Sequence, residues 1–407
     1  MTKPFYYLWF SISSGKLSLS LFTMAITMII YSITNSASFA AIVMLLNVVG
    51  KLLSSIIFPL LSEKIPLNKI LRNSQFIQLF NLLIILMVLN MVTNQVFEII
   101  ALYILIVLTG FIDGFISPAR ISLIPELVED HKIGKANSLI GTTDQSFALL
   151  GWSVGAIIMQ SFGGNVVLII SLVLLTLALL SSLKVKSRKI IATEKKPKWE
   201  IIKSGWTILF SKKDHMRTIT IMDILEGIGS SIWIGGITLV FVNEVLQKGE
   251  QWWGFINTSY YAGSILGGLL ITIFSVRIQR NLLKYIVIGS FGVSVLVLLY
   301  AFNRIGWLAL VLVILMGPFY QLRDISQQTY IQKVGERTAL SKIYAAKDNL
   351  YYLIFAVSVF ISGLVSDYIG VVYVYYLAFF LYLISTIMAI YTLRVKKEKN
   401  NISQKLI

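Results

Sequence analysis

Twelve long apolar segments constrain the fold of this chain more than any other feature. Each could cross a hydrocarbon core about 30 Å thick, which takes on the order of 20 helical residues. Inside lipid only helices and closed barrels pair all their backbone groups, and barrel strands alternate in polarity instead of running apolar. The sequence therefore predicts an all-α membrane protein with twelve transmembrane helices. The segments are Phe5–Ile33, Ser38–Leu61, Ile70–Val92, Val96–Ser117, Ala136–Ser161, Val166–Leu183, Met216–Val245, Gly254–Ser275, Leu282–Phe302, Trp307–Gln327, Leu340–Val365 and Val371–Leu393.

The distribution of Lys and Arg predicts the orientation. Thirty of the 35 cations fall in alternate connections and the two ends of the chain, whereas only Lys248 and Arg304 fall in the other connections. Cytoplasmic loops carry an excess of Lys and Arg. We therefore expect a multi-pass protein of the plasma membrane with both termini in the cytoplasm.

Composition excludes several classes of function. The net charge of +16 follows the predicted topology, so we expect no nucleic-acid partner. There is no cysteine, and the only histidines, His131 and His215, lie in polar connections, which leaves no metal site or catalytic triad. A phosphate-binding loop of the Walker type is also missing from the sequence. The chain is not expected to be an enzyme or to hold a cofactor.

The chain divides near its middle into two sets of six apolar segments. We predict an N-terminal bundle over residues 1–184, a basic cytoplasmic linker over 185–215, a C-terminal bundle over 216–394 and a basic tail over 395–407. Asp144 and Asp348 lie in similar surroundings half a chain apart, which indicates an internal duplication. Within the linker, Lys198–Phe210 has the apolar spacing of an interfacial helix, whereas 187–196 fits a disordered connection.

Several motifs resemble those of the major facilitator superfamily, and within it the macrolide-efflux-like drug exporters and siderophore exporters. The connection Leu61–Lys69 is similar to the acidic-basic loop of the superfamily, with Glu63 and Lys64 where Asp and Arg are usual. The resemblance implies two pseudo-symmetric six-helix bundles that work by alternating access. The other motifs are Ile112–Phe115, Pro118–Arg120, Ile124–Val128, Ala136–Leu139, Gly151–Gly155, Gly254–Ile256 and Gly263–Gly268.

Polar side chains inside the apolar segments are the candidate substrate site. A charge at the membrane centre costs roughly 2.5–3.5 kcal/mol on insertion scales, so it normally faces water or a partner. Lys16 lies about 17 Å along the first segment at ~1.5 Å per residue, on a polar stripe with Ser20. The excess of lysines predicts an anionic or zwitterionic substrate; the alternative is that they form Lys–Asp pairs that only hold helices together. The candidate substrate-binding residues are Lys16, Ser20, Asn47, Lys51, Tyr344, Lys347 and Tyr351.

Carboxylates in the apolar segments are candidates for proton coupling. Asp223 and Glu226 are three residues apart, hence on one helix face, and their repulsion favours uptake of a proton by one of them. Substrate contact and a structural ion pair are the alternatives for this pair. Asp113 is a third candidate, for which a gate or salt bridge competes with coupling.

Charged residues near the predicted cytoplasmic ends are candidates for gating. Such residues could pair in one conformation of the transport cycle and separate in another. The candidates are Glu63, Lys64, Arg120, Asp144, Arg323, Asp324 and Asp348.

Together these features predict a secondary active transporter. We expect it to export a small organic solute, a siderophore-like or metallophore-like anion or a drug, in exchange for protons. The expected partners are this small molecule, protons and membrane lipid, and the expected state is a monomer. A proton-coupled importer and a non-transporting membrane sensor with the same fold remain alternatives.

Overall fold

The computed structural model describes residues 1–187, 197–233, 235–249 and 251–405. Over these ranges the chain is helical and has no strand. Its α-helices are α1 (Lys3–Thr34), α2 (Ala37–Ser62), α3 (Leu67–Met91), α4 (Gln95–Leu127), α5 (Ile133–Phe162), α6 (Gly164–Ser182), α7 (Lys198–Leu209), α8 (Met216–Gly229), α9 (Gly235–Val240), α10 (Gln251–Gln279), α11 (Leu282–Phe302), α12 (Gly306–Val334), α13 (Leu340–Tyr368) and α14 (Val371–Lys405).

The helices confirm the predicted fold class. Within the described residues, ten helices are long and apolar enough to cross a membrane, or eleven if one bent pair of helices counts as a single span. The bent pair contains α8 and α9. The remaining predicted span corresponds to α5, which has the length but is more polar, with Thr142, Thr143 and Asp144 in its first half. The protein is an all-α, multi-pass membrane protein.

The ends of the helices follow from local chemistry. The Thr2 hydroxyl accepts a hydrogen bond from the backbone N–H of Phe5 and so caps the start of α1. Asn35 ends the same helix in the left-handed region, with φ of 50°. Gly163 and Gly370 have positive φ at the sharp turns before α6 and α14, a conformation that glycine adopts without steric cost.

The predicted seventh span is broken. Helix α8 ends at Gly229, a 3₁₀ turn covers Ser230–Trp233, and α9 is followed by a π-helical turn at Phe241–Val245. The break lies in the segment rich in Gly and Ser, where backbone groups that leave the helix ladder can be satisfied by hydroxyls. The Thr238 hydroxyl acts in this way and donates to the Ile232 carbonyl across the break at 2.9 Å.

The chain forms two compact units, here called unit 1 and unit 2. Each unit takes most of one half of the sequence together with a short segment from the other half. The bundle boundaries at 184 and 216 stay a prediction. Unit 1 consists of Met1–Ala136, Thr143–Trp206 and Gly335–Asn349; unit 2 consists of Asn137–Thr142, Thr207–Val334 and Leu350–Ile407.

The two units have the same internal packing. In unit 1, α1 packs on α6, α2 on α4, and α3 on both α4 and α6. In unit 2, α8 packs on α14, α10 on α12, and α11 on both α12 and α14. The second pattern repeats the first, six spans later. This repetition agrees with the internal duplication predicted from the sequence.

The linker contains the predicted helix as α7. Its Trp199 is exposed, and the Lys203 ammonium lies 5.2 Å from the centre of that ring. On another side of α7, Gly205 packs so closely on Lys342 that a Cβ would overlap the Lys342 carbonyl oxygen. The position of α7 on the membrane surface stays a prediction, and residues 188–196 of the connection predicted to be disordered lie outside the described residues.

Glycine permits the closest helix approaches in both units. In unit 1, a Cβ on Gly110 of α4 would overlap the Asn47 carbonyl oxygen of α2. In unit 2, a Cβ on Gly263 of α10 would overlap the Ile314 carbonyl oxygen of α12. Small residues at such seams let two backbones pack directly, which stabilises helix pairs in lipid.

We expect Gly110→Ala to destabilise the protein by about 1–3 kcal/mol, because the added methyl group must push α4 away from the α2 backbone. Gly363→Ala is the matched control. Nothing lies within 4 Å of a Cβ at Gly363, so this change should be neutral or slightly stabilising. Thermal unfolding of the two purified variants in detergent measures the difference, and equal melting temperatures would contradict the proposed seam.

Candidate functional site

Unit 1 contains a cluster of charged side chains within its spans, here called the unit 1 cluster: Lys16, Lys51, Asp113, Arg120, Asp144 and Asp348. Lys51 of α2 pairs with Asp113 of α4 at 2.8 Å from Nζ to Oδ2. Arg120 of α4 pairs with Asp144 of α5, also at 2.8 Å. Two ion pairs thus connect three neighbouring helices. Each ion pair neutralises two charges that would be costly to leave unpaired in the membrane.

Lys16 is the unmatched cation of this cluster. It is half-buried on α1, in the electrostatic field of Asp144, Lys51, Arg120 and Asp113. Among the residues that the structure describes, no carboxylate lies within ion-pair distance of its ammonium group. An ammonium group without a carboxylate partner at this depth can bind an anion.

Asp348 of α13 is the third acid of the cluster. Its carboxyl is hydrogen-bonded by Ser117 and lies in the field of Arg120, Lys347 and Lys51. Its Oδ2 atom is buried and has no hydrogen-bond partner among the described residues. The Oδ1 atom of Asp144 is buried without a partner as well. The cluster therefore offers one cationic group without a carboxylate partner and two carboxylate oxygens with unused acceptor capacity.

Unit 2 contains a second charged cluster, here called the unit 2 cluster: Asp223, Glu226, Arg323 and Asp324. Arg323 of α12 bridges the acids, with distances of 2.8 Å to Asp223, 2.9 Å to Glu226 and 2.8 Å to Asp324. The side chains of Arg323, Asp223 and Glu226 are 11%, 13% and 4% exposed, whereas Asp324 is largely exposed. Two buried carboxylates therefore share one guanidinium.

Neutral hydrogen-bond donors complete the unit 2 cluster. The Ser290 and Ser385 hydroxyls donate to Glu226 Oε1 at 2.8 and 2.5 Å. Gln327 donates to Asp223 Oδ1 at 2.9 Å. Sequence analysis missed these donors because serine and glutamine in an apolar segment carry no charge that marks them. The order of the spans alone does not reveal that α11 and α14 present their serines to α8.

Two ion pairs of unit 1 lie at the predicted cytoplasmic ends. Glu63 at the end of α2 pairs with Lys342 of α13, and the neighbouring Ser62 and Ser341 hydroxyls are 3.2 Å apart. Arg337 pairs with Asp130 at 3.3 Å. Lys342 comes from the other half of the sequence and was not among the predicted gating residues.

The adjacent Glu129 is exposed, and its hydrogen bond from Lys132 holds the pKa of that carboxyl below its ordinary value. It remains charged at neutral pH and adds to the charged surface beside the Asp130–Arg337 pair. A surface pair of this kind contributes little to stability.

A polar network in unit 2 joins the start of α5 to α10 and α12. The Asn137 amide donates to Thr329 at 2.9 Å and to Gln332 at 2.6 Å. Ser138 donates to the Gly268 carbonyl at 2.5 Å. Both residues belong to the Ala136–Leu139 motif that resembles the exporters, although sequence analysis assigned no role to them.

The remaining predicted site residues have varied surroundings. Ser20 is buried against Gly151, and Asn47 is half-buried at the seam with α4. Tyr344 is buried and Lys347 half-buried on α13.

Two other predicted site residues are exposed. Tyr351 is 61% exposed, with its ring 5.7 Å from that of Tyr352, and Lys64 is exposed. The roles of all these residues stay predictions.

Comparison with known proteins decides the family. Residues 8–346 match the Major Facilitator Superfamily. The chain belongs to that superfamily. It is also 37% identical over 405 residues to the protein named Uncharacterized MFS-type transporter YfmI of Bacillus subtilis (strain 168), an alignment that covers 98% of this chain and 99% of the relative.

Solved structures show the same major facilitator fold. A bacterial homologue of the iron transporter ferroportin in an outward-facing state matches with a TM-score of 0.79 at 12% identity, covering 96% of this chain and 99% of the other. The human organic anion transporter MFSD10 matches with a TM-score of 0.75 at 11% identity, covering 96% and 100%. At such low identity, these likenesses establish the fold alone.

Membership in the Major Facilitator Superfamily confirms the predicted superfamily and the expectation of a transporter. Transporters of this superfamily act on small molecules, and the chain is not an enzyme. The resemblance to the efflux and siderophore-export subgroup remains a prediction.

We expect Arg323→Met to lower the free energy of unfolding by about 3–5 kcal/mol, because it leaves Asp223 and Glu226 buried without their cation. Adding Asp223→Asn and Glu226→Gln to the same chain should restore most of that loss. Arg277→Met removes an exposed guanidinium from α10 and is the control. Thermal unfolding in detergent compares the variants; if the triple variant is no more stable than Arg323→Met, the shared-cation description is wrong.

Proposed function

We propose that this transporter exports a small organic anion from the cytoplasm in exchange for protons, by alternating access in the plasma membrane. The observation that carries the proposal is the unmatched ammonium of Lys16 within unit 1. The other two strong cations of the unit 1 cluster, Lys51 and Arg120, already have carboxylate partners. An anionic substrate would give Lys16 the ion-pair partner that the described residues do not provide.

The unused acceptor atom Oδ2 of Asp348 narrows the expected class of substrate further, since Lys51 is already paired with a carboxylate. A ligand that bears a hydroxyl or N–H beside its carboxylate could donate to Asp348 while its anionic group binds Lys16. Siderophores and metallophores of the hydroxycarboxylate type have this combination of groups. A purely lipophilic cation has neither group and would leave Lys16 without a partner.

The unit 2 cluster supports proton coupling. With both buried carboxylates ionised, the pair and Arg323 together have one excess negative charge in a place with little water. One proton on Asp223 or Glu226 removes that excess. Ser290 and Ser385 are hydroxyls, which can donate to the ionised group or accept from the protonated one, so the site can hold either state.

Ion pairs at the predicted cytoplasmic ends support a role in gating. Glu63–Lys342 and Asp130–Arg337 each join residues from opposite halves of the sequence. These pairs are partly exposed and can exchange their partner for water at modest cost. We propose that they form and break once in each cycle, whereas the pairs Lys51–Asp113 and Arg120–Asp144, which lie within the spans, respond to substrate.

We expect Lys16→Met to reduce transport of an anionic siderophore at least tenfold, because the substrate would lose its charged partner. Transport can be measured with inside-out membrane vesicles that accumulate a radiolabelled hydroxycarboxylate siderophore when a proton gradient is imposed. Lys212→Met removes an exposed lysine outside the cluster and should leave uptake unchanged. Accumulation in right-side-out vesicles instead would identify an importer, and equal transport by Lys16→Met and the native chain would exclude the anion site.

We expect the double change Asp223→Asn, Glu226→Gln to abolish movement driven by a pH gradient while substrate exchange continues, because the unit 2 cluster could no longer take up a proton. Reconstituted vesicles loaded with unlabelled substrate report exchange, and an internal pH dye reports proton flux. Arg277→Met, far from the charged cluster in sequence, is the control for reconstitution. Proton flux at the native rate in the double variant would place coupling elsewhere.

A further inference from the structure

A groove of about 710 Å³ opens on unit 1 where the first turns of α1 meet the last turns of α6. It is lined by aromatic and aliphatic side chains and ends at a lysine. The residues that matter here are Tyr7, Trp9, Phe10, Leu177, Leu180 and Lys184. None of these side chains belongs to the unit 1 cluster.

The groove is amphipathic along its length. Phe10, Leu177 and Leu180 are all exposed by more than a third, so the apolar floor is open to a ligand. At the polar end, the Lys184 ammonium lies 5.0 Å from the centre of the Tyr7 ring. Within the described part of the chain, no carboxylate pairs with Lys184.

An apolar floor with a lysine at one end fits a phospholipid of the surrounding bilayer. A phospholipid has an apolar chain that fits the floor and an anionic phosphate that Lys184 can bind. Basic pockets between membrane helices on the cytoplasmic side bind anionic head groups, and aromatic side chains such as those of Tyr7 and Trp9 favour the level of the head groups. A neutral, fully apolar partner would leave the ammonium and the tyrosine hydroxyl unused.

We propose that the groove is a binding site for one anionic phospholipid of the cytoplasmic leaflet. The assignment to that leaflet rests on the orientation in the proposed function, whereas the binding chemistry does not. The lipid chain packs on Phe10 and Leu180, and its phosphate binds Lys184.

The groove is connected to the unit 1 cluster through Trp9. The indole N–H of Trp9 donates to the Thr143 hydroxyl of α5 at 3.0 Å. The next residue, Asp144, holds Arg120 at 2.8 Å. A lipid that packs on Trp9 restricts this ring and thereby stabilises the turn of α5 that presents Asp144. The bound lipid thus acts on the charged cluster without entering it.

Quenching of tryptophan fluorescence by brominated lipid tests the proposal. The full-length protein is placed in nanodiscs in which brominated phosphatidylglycerol or brominated phosphatidylcholine replaces the unlabelled lipid stepwise. The difference between the native chain and Trp9→Phe isolates the signal of Trp9. We expect Trp9 to be quenched at several-fold lower phosphatidylglycerol than phosphatidylcholine content. Because both leaflets hold the same lipid and no transport is measured, the result is independent of the proposed export and orientation.

Two variants identify the binding groups. Lys184→Gln should reduce the preference of Trp9 for phosphatidylglycerol about fivefold, as expected for loss of one cation near the membrane surface. Lys186→Gln removes an exposed lysine two residues away that does not line the groove, and should leave the preference unchanged. Leu180→Phe should fill the groove and shield Trp9 from both lipids without adding another tryptophan to the signal, with the melting temperature showing that this variant folds.

Three outcomes would overturn the proposal. Equal quenching by the two lipids would mean that the groove holds ordinary solvating lipid without selection. Equal effects of Lys184→Gln and Lys186→Gln would assign the preference to the basic surface as a whole. An unchanged Trp9 signal in a folded Leu180→Phe variant would mean that no lipid chain occupies the floor.

Discussion

The cost of placing charge in the membrane governs this structure. Every ionisable group inside a span must be matched by an opposite charge, by hydrogen bonds or by water. The pairs Lys51–Asp113 and Arg120–Asp144 meet that requirement one to one, each between different helices. Arg323 meets it for two acids at once, with Ser290, Ser385 and Gln327 supplying the remaining hydrogen bonds. The positions of these charges and the packing of the helices therefore depend on each other.

The helices of the two units pack in the same arrangement, but the charged residues inside the two units are paired differently. Their helices have the same neighbours, and glycines at Gly110 and Gly263 permit corresponding close seams. Arg120 and Arg323 occupy corresponding places in the C-terminal halves of α4 and α12, at almost the same interval that separates Asp144 from Asp348. Yet Arg120 pairs with one acid and lies near an unpaired lysine, whereas Arg323 is shared by two acids. The two units thus have the same packing but a different charge balance.

The sequence alone was sufficient to predict the fold, because the bilayer requires features that each apolar segment has by itself. Span length and the Lys and Arg bias are properties of contiguous segments, and the break near Gly229 falls in a run of Gly and Ser. Pairing is different, because it depends on how each helix is rotated about its axis and on which helices are neighbours. Glu63 was expected to act in a gate with Lys64, but its partner is Lys342, almost three hundred residues away in the chain. Arg323 was placed with Asp324, and the structure adds Asp223 and Glu226 from a span that precedes it by one hundred residues.

Incomplete pairing of charges in both clusters gives a physical reason for coupling. Under the proposed function, unit 1 without substrate retains the unmatched charge of Lys16, and unit 2 without a proton retains the excess charge of its two acids. A change of conformation that removes water from either cluster costs more when its charge is uncompensated, because the ion loses hydration without gaining a partner. An anion lowers that cost for unit 1, and a proton lowers it for unit 2. Compensation of both clusters in the same passage would favour joint movement, so exchange additionally requires that binding of one ligand displaces the other. A purely structural role for these charges would predict an ion pair for each of them, and Lys16 has none among the described residues.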